Sequence, residues 1–227
     1  MSARYSVLVT GNALRLRDDF LGISSVVLVE TAGQRWLIDA GGPVTRGSLK
    51  RALRDRGLGP GDIDAIFLSH LHFDHAWNLD LFPHARLHVS AAELAYAADP
   101  HPDDDLIPEG LLERLSARGV EVLEGEGPLA PGLTVLPAPG HTPGLYAAEV
   151  ATAAGPVLLA CDAIKYPKEV MSRRCDLAFD AIETGTATIA RLLERAERIV
   201  PGHAPEMHRT AEGWTWDSAA EFPLMVR

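Results

Sequence analysis

Short runs of β-branched and aliphatic residues, broken by turn formers, occupy the first forty positions, with runs at 5–9, 25–30 and 34–38. Thr31-Ala32-Gly33 separates the last two and predicts a hairpin. The spacing then changes: Leu49, Ala52 and Leu53 recur at helical intervals within 46–56, and Gly57 and Gly59 follow as a stop. A short apolar run at 65–68 ends in Ser69-His70, which puts that histidine just beyond the carboxyl end of a buried strand. Further strands are expected at 86–89, 119–123, 133–136, 146–150, 157–160 and 198–200, and helices at 91–98, 109–118 and 181–197. The result is a mixed α+β pattern. The acidic, proline-containing stretch 99–108 reads as a solvated connection between two helices, with a lid as its alternative.

A chain of 227 residues with 47% hydrophobic content can bury a substantial core, and its length suits one domain over residues 1–227. The formal charge of -10 disfavours nucleic-acid partners, since no basic run offsets it. Bound divalent cations would cancel part of that charge locally, so a nuclease stays open. Cys161 and Cys175 are expected to be reduced core residues. The start of the chain lacks the apolar segment of an export signal, and no apolar stretch reaches the roughly 20 residues a bilayer span requires. Cytoplasmic location and no membrane association are the expectation.

His70-Leu71-His72-Phe73-Asp74-His75 concentrates the candidate chemistry. If the backbone stays extended, alternation puts His70, His72 and Asp74 on one side and turns Leu71 and Phe73 into the core. His75 breaks that period, so it points elsewhere or sits where the chain turns, and a second metal would use such a donor. Pro139-Gly140-His141 and Pro201-Gly202-His203 each follow an apolar strand, so two strand ends present a histidine after a Pro-Gly turn. Five of the nine histidines thus fall in three turns, a crowding that would cost repulsion and desolvation without a metal. Imidazole with carboxylate suits zinc, iron or manganese better than calcium or magnesium. His84, His88, His101 and His208 lack such a context and are assigned to surface or packing.

The ordered set Leu37-Ile38-Asp39-Ala40-Gly41-Gly42, Ser69-His70-Leu71-His72-Phe73-Asp74-His75, Pro139-Gly140-His141-Thr142-Pro143-Gly144, Cys161-Asp162-Ala163 and Pro201-Gly202-His203 resembles the metallo-β-lactamase superfamily. The resemblance implies a four-layer αββα sandwich with two divalent metal ions in a cleft at one edge of two packed sheets, Zn2+ foremost and Fe or Mn possible. It implies one site from His70, His72 and His141 and a second from Asp74, His75 and His203, bridged by Asp162. Asp39 would orient a ligand from behind. The stretches Asp39 to Pro43, Pro60-Gly61-Asp62 and 78–90 are also similar to animal members carrying this domain.

Two cations roughly 3.5–4 Å apart can share a water, bring its pKa toward neutrality and polarise a carbonyl or phosphoryl oxygen. The expected activity is therefore hydrolysis by a metal-bridging hydroxide, with Asp74 and Asp162 the carboxylates nearest the chemistry. Proton acceptance by Asp74 ranks below simple ligation. Lys165 and Tyr166, just after Asp162, offer a cation and a phenol to an anionic substrate, against a reading in which Lys165 is solvated and Tyr166 packs. Trp77 and Asn78 stand where similar glyoxalase-type thioesterases carry paired glycines, which disfavours glutathione thioesters. The short stretch after His203 leaves substrate recognition to loops and favours a small ester, lactone or thioester. A phosphodiesterase or nuclease on the same site and an iron-dependent persulfide dioxygenase stay as alternatives. Trp214-Thr215-Trp216 could pack within the chain or across a dimer, so oligomeric state stays open.

Overall fold

The computed structural model describes residues 2–17 and 20–217. Strands β1 (Arg4–Val9), β2 (Val26–Thr31) and β3 (Gln34–Ile38) form an antiparallel meander. Its second turn carries Ala32 at φ 49° and Gly33 at φ 79°, the paired left-handed residues of a tight hairpin. Helix α1 (Arg46–Arg54) then crosses over to β4 (Ala65–Phe67), which pairs parallel with β3. The single turn α2 (Phe73–Ala76) leads to β5 (Arg86–Ser90), and α3 (Ala91–Ala98) and α4 (Leu111–Arg118) lead to β6 (Glu121–Leu123), each strand joining in parallel.

The second sheet is built in a similar way. Strands β7 (Gly127–Ala130), β8 (Leu133–Pro137), β9 (Tyr146–Thr152) and β10 (Gly155–Cys161) run antiparallel. Helices α5 (Pro167–Ser172) and α6 (Ile182–Arg195) cross over to β11 (Arg198–Pro201), parallel to β10. The hairpin of β12 (Met207–Thr210) and β13 (Gly213–Trp216) closes the far edge. Among the described residues the strand order is β1-β2-β3-β4-β5-β6 in one sheet and β13-β12-β11-β10-β9-β8-β7 in the other.

Alternation along the central strands sorts side chains into three apolar layers. Val27, Val29, Trp36, Ile38 and Phe67 meet Val135, Ala148, Val150, Leu159 and Val200 between the sheets. On the outer face of the first sheet, Leu28, Leu37 and Ile66 pack under Leu49 and Leu53 of α1 and Leu111 and Leu115 of α4. On the outer face of the second, Leu158 and Ala160 pack under Ile189, Leu192 and Leu193 of α6. Strands buried on both faces read as continuous apolar runs, and each large aliphatic or aromatic side chain so buried contributes about 1.5–3 kcal/mol. The expected αββα order of layers is the one observed.

Several elements escaped the sequence pattern. Strand β7 contains Gly127 and Pro128 on a sheet edge, α5 is six residues long with Pro167 in its first turn, and β12 and β13 are short and largely polar. None of these carries a periodic apolar signal. Trp214 and Trp216 of β13 pack within the chain against the layer beneath α6, and Arg209 lies over the Trp214 ring at 5.0 Å. Among the described residues no helix is long and apolar enough to cross a membrane.

Candidate metal centre

The strand ends of both sheets converge on one edge. Asp39 follows β3 with φ 61°, a left-handed backbone that aspartate tolerates better than most residues, and its amide donates to Phe67 O at 2.8 Å. That turn aims its buried carboxylate across to the segment after β4, where Oδ1 accepts from Ser69 N–H at 2.8 Å and Oδ2 from Ser69 Oγ at 2.8 Å. The chain stays extended through His72, at φ -66° and ψ 152°, and enters α2 at Phe73. The extended alternation expected over 70–74 therefore stops two residues early. Asp74 and His75 leave the helix as neighbours, which brings His75 into the cluster from the turn the sequence required. Leu71 is buried in the core as expected, whereas Phe73 lines a cavity instead. His141 follows β8, Asp162 follows β10 at a left-handed Cys161 (φ 48°), and His203 follows β11.

These seven side chains come together, and all are buried. His72 Nδ1 lies 3.1 Å from His70 Nε2 and 3.1 Å from His141 Nε2. Asp162 spans to the other group: its Oδ1 is 3.3 Å from His75 Nε2, and its Oδ2 is 3.2 Å from His203 Nε2 and 3.4 Å from His141 Nε2. Asp74 Oδ2 is 3.8 Å from His75 Nε2 and 3.5 Å from His203 Nε2. Donor atoms of His70, His72 and His141, of His70, His75 and Asp162, and of Asp74, His75 and His203 form three groups, each within 4.8 Å.

Each imidazole also has a partner for its outward nitrogen. His70 Nδ1 lies 3.0 Å from Ser69 Oγ, His72 Nε2 3.0 Å from Asp104 Oδ2, and His75 Nδ1 2.7 Å from Asp39 Oδ2. His203 Nδ1 meets Ile23 O at 2.9 Å and His141 Nδ1 meets Leu177 O at 3.4 Å. Fixing one ring nitrogen in this way directs the other inward.

Burial and neighbouring charge divide four of the imidazoles into two pairs. Burial, reinforced for His70 by its neighbouring imidazoles, pushes His70 and His141 well below the ordinary histidine value and so keeps them neutral. Burial acts the same way on His75 and His203, but there Asp74 and Asp162, with Asp39 beside His75, outweigh it and raise both. Burial likewise opposes ionisation of Asp162, and the His203 and His75 rings overcome it and hold the carboxyl well below the usual range. His75 Nε2 and Asp162 Oδ1 are buried with no hydrogen-bond partner among the described residues. These are atoms a divalent cation would satisfy, and five imidazoles with two carboxylates fit a pair of borderline-soft cations.

The centre opens into a cavity of about 460 Å³ lined by Ala13, Phe20, Phe73, Leu106 and Leu177, with Arg15, Lys165, Tyr166, Lys168 and Asp176 supplying polarity. Lys165 is buried rather than solvated: Nζ donates to Glu169 Oε1 at 2.8 Å and to Leu177 O at 3.2 Å. Tyr166 donates to Asp176. Cys161 and Cys175 are free and buried, and Cys161 belongs to the layer between the sheets. Of the histidines set aside, His84, His101 and His208 are exposed, and His88 is buried against Trp36 with ring centroids 4.8 Å apart.

Two acids near the centre were not singled out by sequence. Asp104 comes from the 99–108 stretch, which proves not to be wholly solvated, and Glu93 comes from α3. Glu93 is fully buried, accepts from Leu71 N–H at 2.9 Å and Thr142 Oγ1 at 2.7 Å, and so ties the His70–His72 segment to the His141 turn. A run of three aspartates at 103–105 hints at neither its inward member nor its target.

A profile described as the metallo-beta-lactamase superfamily matches residues 19–203. An N-acyl homoserine lactonase from a Bacillus species is 35% identical over 162 residues, covering 69% of this chain and 62% of that protein. Metallo-beta-lactamase domain-containing protein 1 from Homo sapiens is 32% identical over 186 residues, covering 81% of this chain and 63% of that protein. The chain thus matches less than two thirds of the length of either relative. Among solved structures, an N-acyl homoserine lactone hydrolase with the product N-hexanoyl-L-homoserine at its catalytic metal centre aligns with a TM-score of 0.72 at 22% identity, covering 90% of this chain and 94% of that one. AidC, a dizinc quorum-quenching lactonase, aligns with a TM-score of 0.69 at 22% identity, covering 87% and 80%. At such identities the structural likeness carries the fold.

Proposed function

The chain belongs to the metallo-β-lactamase superfamily, and from that premise we propose that it is a hydrolase holding two divalent cations, zinc foremost, and opening a small ester, lactone or thioester. The observation that carries the reading is the orientation of the five imidazoles: every outward ring nitrogen faces an oxygen, and every inward one faces the same small space as Asp74 and Asp162. His70, His72 and His141 would hold one cation, Asp74, His75 and His203 the other, with Asp162 between them. When bound, the pair supplies hydroxide at neutral pH and Lewis acidity toward a carbonyl oxygen.

The chain's own residues supply the rest. Asp39 holds the His75 ring by accepting from its Nδ1–H, and the backbone carbonyl of Ile23 does the same for His203. Asp74 and Asp162 both line the cavity, and for Asp74 ligation comes first, with proton acceptance a secondary role. An ammonium has three donors, and with Glu169 and Leu177 O engaging two, Lys165 keeps one for a substrate oxygen at the cavity wall. Phe20, Phe73, Leu106 and Leu177 offer an apolar bed for an acyl group and limit water near the carbonyl. The lactonases among the relatives act on N-acyl homoserine lactones, which combine such an acyl group with a lactone carbonyl.

The test is metal analysis together with a substrate panel of N-acyl homoserine lactones, aryl esters, thioesters and phosphodiesters, plus oxygen uptake with a persulfide. Lactone or ester turnover with two bound cations is expected, and Asp162→Ala should lose cation and nearly all turnover. Oxygen consumption with bound iron, selective phosphodiester cleavage, or an Asp162→Ala protein of undiminished activity would each overturn the assignment.

A further inference from the structure

His72 differs from its neighbours in the nitrogen it turns inward. His70, His75, His141 and His203 present Nε2 to the centre, whereas His72 presents Nδ1. A ring turned this way sends Nε2 out toward the protein, where that nitrogen must carry the proton if Nδ1 is to keep its lone pair. An acceptor is needed at that point, and Asp104 Oδ2 lies there at 3.0 Å, with side chains 2% and 0% exposed.

Asp104 is itself held from two sides. Tyr96 OH, from the last turn of α3, donates to the same Oδ2 at 2.5 Å. The other oxygen accepts from Leu106 N–H at 3.1 Å, and Leu106 O in turn accepts from Phe73 N–H at 2.8 Å, one residue after His72. The 99–108 loop therefore reaches the candidate centre through one buried carboxylate and returns to the His72 segment through its backbone.

We propose that Asp104, steadied by Tyr96, is a positioning residue: it fixes the tautomer and orientation of His72 and thereby sets the affinity of the cation site made by His70, His72 and His141. The proposal rests on the metal-centre reading above. Partners of this kind behind a ligating imidazole govern affinity by about 10- to 100-fold. A residue that only pinned the loop would affect stability without selecting one of the two cations.

The experiment titrates the metal-depleted full-length chain with Co2+ and with Zn2+ against a chromophoric chelator and records the visible spectrum of the Co2+ form. For Asp104→Ala, one of two binding steps should weaken about 10- to 100-fold with the other unchanged, and the Co2+ ligand-field bands should move. Asp104→Asn keeps an oxygen for the His72 Nε2–H but places an amide near Leu106 N–H, so it should bind cation nearly as wild type while the loop loosens. Tyr96→Phe leaves the carboxylate in place and should give a smaller loss at the same step. Folded Asp104→Ala protein with wild-type affinities and spectrum overturns the proposal. So does an Asp104→Asn protein as impaired in cation binding as the alanine variant, since the loop contact would then be what matters. Wild-type protein that takes up no cation overturns the metal-centre reading itself, an outcome distinct from either.

Discussion

A Cβ on Gly202 would stand 2.0 Å from Asp162 Oδ1 and 2.8 Å from Cys161 O. Gly202 N–H also donates to Cys161 O at 2.9 Å, so both the Asp162 carboxylate and this backbone turn would have to shift. Gly202→Ala should therefore displace both Asp162 and the turn, lowering cation stoichiometry together with the melting temperature; a fully loaded variant of wild-type stability would show that both have slack. The same residue explains why the Pro-Gly-His turns were readable. A glycine was needed where two loops touch, and the histidine after it had to leave the strand toward the centre. The candidate donors were legible as a cluster because few residue types ligate cations and several lie within one short segment. Their outer partners were not. Asp39 could be placed behind a ligand only through the family resemblance, while Asp104 and Glu93 are ordinary acids whose roles depend on segments 22 to 49 positions away. No local pattern records that distance.

Among the elements, those with a periodic apolar face were predicted well and those held by context were not. Helix α6 buries Ile189, Leu192 and Leu193 on one side, and the reading at 181–197 overshoots its ends by a residue or two. Leu192→Ala removes a fully buried side chain from the layer over β10 and β11 and should cost about 2–5 kcal/mol, read as a lower denaturant midpoint. Because the substitution lies beyond the α6 end that touches Gly140, cation stoichiometry in the folded protein should hold. A variant that kept its stability would mean the layer can collapse around the gap. The fragments α5, β7, β12 and β13 owe their form to neighbours: β7 to β8, and β12 to β11. Helix α2 is the instructive case, since four residues with two buried polar donors resemble a loop in sequence, and only packing against the Asp39 turn, with Ala40 N–H on His75 O at 2.7 Å, makes them a helical turn.

For the molecule as a whole, the candidate centre lies across the join between the sheets. Asp39, His70, His72, Asp74 and His75 follow strands of the first sheet, and His141, Asp162 and His203 follow strands of the second. Cation binding should therefore brace one sheet against the other. With free cation at a hundred times its dissociation constant, each site adds about 2.7 kcal/mol to the folded state. Chelation of the purified protein should lower the melting temperature and increase amide exchange along this edge first, and an unchanged melting curve would mean that the sheets support themselves and the ions contribute nothing to cohesion.

Each of the three donor groups takes members from both sides of that join, and none is complete before residue 141. The His70–His75 segment alone offers a growing polypeptide only part of a cage. If the centre holds two cations as proposed, the ribosome must deliver His203 and the second sheet must dock before the pair is seated. On the proposed reading, metallation would come late in maturation, after the second sheet has docked.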